Sequence, residues 1–326
     1  MTSMEVLPES TLSRVLDTCL GVDVNETVAL LIDGGSDPAV IAGLSAGLDA
    51  RGARTRVVIV PRYVVPGSEP TPQAAAALLE VDAAIELTSV FIGSSRARRA
   101  ATDAGTRYLA MPGVTADTFR PGGPYDVDFD QIAADAHAVA AMWEQADTYR
   151  VTTPAGTDLS GSIRGRRGRP LTGIARDRGA YMAPPDIEAG TAPVEASSSG
   201  VVVVDGDYLF MGPGPSAAES ALHLRDGALV GTDGDEAQRL VEMIDRCGDP
   251  QMTNLAEVAI GLNPRGRVCG VALETESVFG SAHVAFGNSI AYGGLVNAAA
   301  HLDCVMRDAT VYFDGRPRIV EGIVVS

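Results

Sequence analysis

Thr27-Val28-Ala29-Leu30-Leu31-Ile32, followed at once by Asp33-Gly34-Gly35, is the stretch whose reading decides the fold of the first half of the chain. Six uncharged, strand-forming residues closed by a turn signal predict a buried strand. Downstream, Pro38–Ala50 is a helix closed by Gly52, and Thr55–Val60 is a strand stopped by Pro61. The same alternation continues with a helix over Thr71–Leu79, a strand over Ala83–Thr88 and a helix over Ser94–Ala104 with Gly105 at its C-terminal cap. A strand over Arg107–Met111 and a long helix over Ile132–Ala146 complete it. This β-α-β-α order implies parallel strands with helices on the faces, an α/β domain over residues 1–150. Gly34-Gly35 carries neither GxGxxG nor a P-loop, so a plain sheet-to-helix turn is favoured over a nucleotide site.

From Val151 the texture changes. Short strands separated by Gly, Pro and Asp are expected at Val201–Val204, Tyr208–Met211, Ser220–Leu224, Ala228–Val230, Val268–Leu273 and Thr310–Phe313, with one helix at Glu236–Arg246. Such spacing predicts a mostly antiparallel α+β domain over residues 151–326.

Composition narrows the chemistry. The 326 residues, 46% hydrophobic and 21% charged, describe an ordinary globular chain long enough for two domains. Its formal net charge of −17 opposes nucleic acid and anionic membranes as partners. Four cysteines form no close pair and the N-terminus carries no signal-peptide pattern, so a reduced, cytoplasmic setting is expected. All 25 basic side chains are arginine, which excludes a Walker A lysine, a pyridoxal phosphate Schiff base and a lysine general base. Carboxylates, tyrosines and four histidines remain.

Among these, His301-Leu302-Asp303 places imidazole and carboxylate on one face of an extended strand, a pairing that suits Zn, Mn, Co or Fe(II). His283 lies between Gly280 and Gly287, where glycines leave room for a bound group, although a hydrogen-bonded core histidine is the plainer reading. Glu257 sits inside the apolar run Leu255–Leu262, and a carboxylate buried there needs an arginine or a metal as partner. Glu274 and Glu276 are candidate general bases that read more plainly as surface acids, His137 and His223 read as structural, and Glu188 as an acid in a loop.

Together these segments resemble the aminopeptidase T family of metallo-aminopeptidases. Ala256-Glu257-Val258-Ala259, His283-Val284-Ala285-Phe286-Gly287 and His301-Leu302-Asp303 follow that family's motifs in order. Gly156-Thr157-Asp158-Leu159, Gly165-Arg166 and Glu188-Ala189-Gly190-Thr191-Ala192-Pro193 resemble its upstream elements. The resemblance implies Glu188, Glu257, His283, His301 and Asp303 as ligands of one or two metal ions. One departure stands out: the family's metal-associated tyrosine falls at Ile290 here, with Tyr292 out of register.

Over its whole length the chain also resembles the 2,5-dihydroxypyridine 5,6-dioxygenase family of nonhaem Fe(II) ring-cleaving enzymes. Glu26–Pro61, Gly105-Thr106-Arg107, Gly261–Pro264 and His301-Leu302-Asp303 carry that likeness. The first iron-binding histidine of that family falls at Glu257, and His283 would have to restore the set of two histidines and one carboxylate.

Ligand identities therefore rank a metal-dependent hydrolase of amide-like C–N bonds first, with a metal-activated water as nucleophile and Glu188 as general base or second-metal ligand. Oxygen-dependent opening of a hydroxylated pyridine-like ring ranks second, and a metal-free binding protein third. Arg164, Arg166 and Arg169 are candidates for a substrate carboxylate, although a solvated basic loop is the plainer reading. The expected partners are a small-molecule substrate and further copies of the chain.

Overall fold

The computed structural model describes residues 7–212 and 214–325. It divides into two compact units, residues 1–131 with 172–186, and residues 132–171 with 187–326. The first boundary therefore falls inside the Phe129–Gln145 helix rather than near residue 150, and residues 172–186 return to the first unit. The return has a plain cause: Tyr181–Met182 adds a fifth strand beside Arg107–Ala110.

The first unit is the expected parallel α/β layer. Its sheet runs in the order Arg54–Ile59, Thr27–Ile32, Ala83–Glu86, Arg107–Ala110, Tyr181–Met182, every pair parallel. Val28 to Leu31 are fully buried, as the opening apolar run predicts. Parallel neighbours need crossover connections, and the helices Pro38–Ala50, Pro72–Leu78 and Arg96–Ala104 supply them. Asp37, Thr71 and Ser95 cap those helices by accepting backbone N–H bonds. The turn after the first strand is closed by its own acid: Asp33 accepts from Gly35 N, Ser36 Oγ, Ser89 N and Ser89 Oγ. A carboxylate thus fills the crevice at the strand ends where doubly wound sheets usually receive anions.

The second unit is antiparallel. Among the described residues it forms an eight-stranded sheet, centred on Thr148–Thr152 and Asp158–Ser162, and a six-stranded sheet that carries the site. The six-stranded sheet runs Asp207–Tyr208, His301–Met306, Ala282–Gly287, Leu255–Gly261, Glu188–Thr191, Arg169–Leu171. Trp143 of the long helix is fully buried and meets Phe313 edge-on at 4.8 Å. The strand expected at Val268–Leu273 does not form. A short helix, Ala272–Glu276, begins there because Thr275 N donates to Val271 O and Cys269 N to Thr275 Oγ1. Strand pairing at the expected Tyr208–Met211 covers only Asp207–Tyr208, since Phe210 takes a φ of 60°. Among the described residues no helix is long and apolar enough to cross a membrane.

Candidate metal centre

Side chains alternate across a strand, so register decides which residues of the six-stranded sheet share a face. Ala259 pairs with Gly190 on one side and His283 on the other, Ala285 pairs with Glu257 and Asp303, and Gly287 pairs with His301. One face therefore presents Glu188, Glu257, His283, His301 and Asp303 from four adjacent strands. The floor between them is Gly190, Ala259, Ala285 and Gly287. The opposite face, with Val258, Ile260, Val284, Phe286, Leu302 and Cys304, is apolar and buried. Small residues beneath the five functional side chains leave the space a bound group requires. The register shift between Leu255 and Glu257 is a β-bulge, a device that re-aims a side chain beside a site.

Two ligand groups result, both containing Glu257: Glu188, Glu257 and His283 in one, Glu257, His301 and Asp303 in the other. His283 Nε2 lies 2.9 Å from Glu188 Oε2 and 3.8 Å from Glu257 Oε1. His301 Nε2 lies 3.0 Å from Glu257 Oε2 and 3.3 Å from Asp303 Oδ1. The first group is almost wholly buried, while His301 and Asp303 keep some solvent contact. His301 Nδ1 lies 2.7 Å from the Asn288 carbonyl, which only accepts, so Nδ1 keeps its proton and Nε2 is the atom that would ligate a metal.

Electrostatics also call for cations. Burial pushes Glu188 above the usual carboxylate range, and the charges of Glu257 and Asp303 add to it. Glu276, on the Ala272–Glu276 helix, is raised well above that range by burial and then by Asp303 and Glu188. Burial alone would lower both histidines, but Glu188 acting on His283 and Asp303 acting on His301 hold them well above the usual imidazole value. Asp303 is lowered, because His301 outweighs the effect of burial. Glu188, Glu257 and Asp303 thus crowd one space where, within ion-pair range, imidazoles are their only cationic contacts among the described residues. Glu257 Oε1 and His283 Nδ1 are buried without a hydrogen-bond partner. A buried unpaired carboxylate oxygen among nitrogen and oxygen donors fits a divalent cation.

Two residues near this centre escaped the sequence reading. Glu276 is 8% exposed rather than on the surface, and Glu274 is fully buried against Arg267. Tyr292 reaches the site although it stands two residues beyond the family position. The 3-10 turn Ile290–Tyr292 swings its hydroxyl to 3.2 Å from Glu188 Oε1 and stacks its ring on His301 at 5.2 Å and 10°. A turn signal, Gly293-Gly294 directly after it, was the available clue. Arg164 is exposed and paired with Asp147. Arg166 donates to Glu195 and to the Gly293 carbonyl, and Arg169 lies over the Tyr292 ring at 4.4 Å.

Comparison with known proteins matches residues 9–326 to the family model described as NicX, 2,5-dihydroxypyridine 5,6-dioxygenase. The 2,5-dihydroxypyridine 5,6-dioxygenase of Pseudomonas putida KT2440 is 24% identical over 200 residues, a segment covering 58% of this chain and 57% of that enzyme. The solved 2,5-dihydroxypyridine dioxygenase of the same organism superposes with a TM-score of 0.77 at 20% identity, over 97% of this chain and 96% of that one. AmpT from Thermus thermophilus superposes with a TM-score of 0.67 at 16% identity, over 97% and 98% of the two chains. At such identities the two structures establish a shared fold, so the aminopeptidase T likeness stands at the level of fold. The order of the two functional readings drawn from the sequence is reversed by the family match. This chain belongs to the 2,5-dihydroxypyridine 5,6-dioxygenase family.

Proposed function

We propose that this protein is a metal-dependent dioxygenase that opens the ring of a hydroxylated, pyridine-like small molecule, consuming molecular oxygen. The observation that carries the reading is the match of residues 9–326 to the dioxygenase family. It is supported by the buried donor set that two imidazoles and three carboxylates form around Glu257. Iron(II) held by His301, Asp303 and Glu257, with His283 and Glu188 alongside, would supply the redox chemistry with oxygen. The protein's own contribution is orientation and exclusion of water. Asn288 O fixes the His301 tautomer, and Tyr292 Oη donates to Glu188 and fixes the direction of that carboxylate. Glu276, raised well above the usual carboxylate range by burial, is the acid that would offer a proton to a developing anion on the substrate.

A specific observation favours a second reading, metal-dependent hydrolysis of a C–N bond. The two histidines fall in separate ligand groups, each with two carboxylates, and Glu257 belongs to both. The three ligand carboxylates carry one more negative charge than a single divalent cation offsets, and a second cation would compensate it. Shared carboxylates suit a pair of metals that activates water.

The deciding experiment gives Fe(II)-loaded protein 2,5-dihydroxypyridine in an oxygen electrode, with parallel argon-flushed samples loaded with Mn(II) or Zn(II) and offered amide substrates. Oxygen uptake matched to loss of the ring absorbance is the expected result. Substrate turnover under argon without oxygen uptake would overturn it in favour of hydrolysis.

A further inference from the structure

Residues 288–300 connect the His283 strand to the His301 strand and carry Tyr292 over the metal ligands. The backbone around Tyr292 is gripped at almost every position. Arg169 Nη1 donates to Ala291 O at 2.8 Å, Ala192 N to Tyr292 O at 3.1 Å, and Arg166 Nη1 to Gly293 O at 2.7 Å. Glu195 takes Leu295 N through one oxygen at 2.8 Å and Arg166 Nη2 through the other. One ion pair thereby holds a carbonyl and an N–H on either side of Gly294. That residue admits no side chain, because a Cβ would lie 2.1 Å from Ser289 Oγ. The Arg166 side chain is only 12% exposed, too enclosed for its guanidinium to act as a solvated surface charge.

We infer that the Arg166–Glu195 pair, seconded by Arg169, is a clamp that positions Tyr292 against Glu188 and His301. Arg166 and Glu195 are positioning residues for the metal centre, and Arg166 does not bind a substrate anion. The inference rests on the candidate metal centre, but it does not depend on the reaction performed there. The chemistry is direct. A tyrosine that hydrogen-bonds one ligand and stacks on another belongs to the outer shell, whose loss typically weakens metal binding about 10- to 100-fold. Releasing the turn that holds the tyrosine should therefore weaken metal to the same extent. Arg166 Nε is buried without a partner among the described residues, and a substrate carboxylate is the rival occupant that could take it.

The test uses the full chain, Co(II) as the probe, and two readouts independent of turnover: the Co(II) dissociation constant by competition with a chromophoric chelator, and hydrogen exchange by mass spectrometry. Tyr292→Phe is expected to weaken Co(II) about tenfold. Arg166→Gln and Glu195→Gln should each give the same loss and speed exchange in residues 289–295 about tenfold, leaving Leu255–Gly261 unchanged. Combining Arg166→Gln with Tyr292→Phe should add less than about twofold to the single loss. If one variant does not fold, as judged by exchange throughout Leu255–Gly261, the other carries the test. Unchanged Co(II) affinity and exchange in a folded Arg166→Gln or Glu195→Gln variant, or losses that multiply in the double variant, would overturn the clamp. Absence of oxygen uptake in the unaltered protein would instead count against the proposed reaction and leave the clamp untouched.

Discussion

His301 spends its Nδ1 proton on the Asn288 carbonyl and turns Nε2 toward Glu257 and Asp303. Its replacement by alanine should therefore remove a ligand without disturbing the apolar face beneath it. The expected outcome is a fall of at least tenfold in bound metal by elemental analysis, with the melting temperature of the metal-free protein little changed. Protons leave as metal arrives. Without a cation the carboxylates hold His283 and His301 protonated well above the usual imidazole value, so ligation must displace those protons. Metal affinity should rise with pH from 6 to 8, and calorimetry in buffers of different ionisation enthalpy should register proton release. A second residue titrates in the first unit. Glu86 is fully buried beneath Tyr108 Oη, Thr88 Oγ1 and Ile92 N, and burial pushes it up to about 7. A carboxyl raised in the folded state stabilises the fold fully below its unfolded value, and that contribution is lost as pH climbs through 7. The lost stability is on the order of 3 kcal/mol. Thermal melts should show the native chain weakening between pH 5 and 8, with a visibly flatter slope for Glu86→Gln.

At the scale of elements, the six-stranded sheet works as a template: ligands on one face, apolar packing on the other, and small residues between the ligands. Gly190 is a tight point of that floor. A Cβ there would lie 2.3 Å from Ala259 Cβ and 2.7 Å from Val258 O, so Gly190→Ala should cost about 2 kcal/mol and depress metal binding with it, by thermal melt and elemental analysis. How much of this was legible in sequence follows from periodicity. The i, i+2 spacing of His301 and Asp303 and the lone acid at Glu257 in an apolar run were enough to single them out. Thr27–Ile32 and its helical partners were legible because a buried parallel strand is an uninterrupted apolar run. Glu188 reached the site only through family resemblance, since a single acid between prolines has no period to read. Glu276 and Tyr292 depend on a five-residue helix and a single 3-10 turn, whose hydrogen bonds leave almost no pattern in composition. The return of residues 172–186 to the first unit was illegible for a related reason: a two-residue strand, Tyr181–Met182, decides it.

For the whole molecule, the acidic balance and the absence of lysine have one common consequence. A chain with a formal charge of −17 draws divalent cations toward any concave surface, while arginine, always charged, does not serve as a proton-transfer base. Acid–base work is left to carboxylates, imidazoles and tyrosine, and the structure gathers all three kinds at Glu257. Anomalous diffraction at the iron edge, from crystals of Fe(II)-loaded protein grown under argon, asks directly whether a cation sits there. The expected map has its peak within roughly 2.2 Å of a Glu257 oxygen, with His301 and Asp303 completing the sphere. A saturated crystal whose only iron lies elsewhere, with Glu257 bonded to protein groups alone, would contradict the metal centre and every reaction built on it.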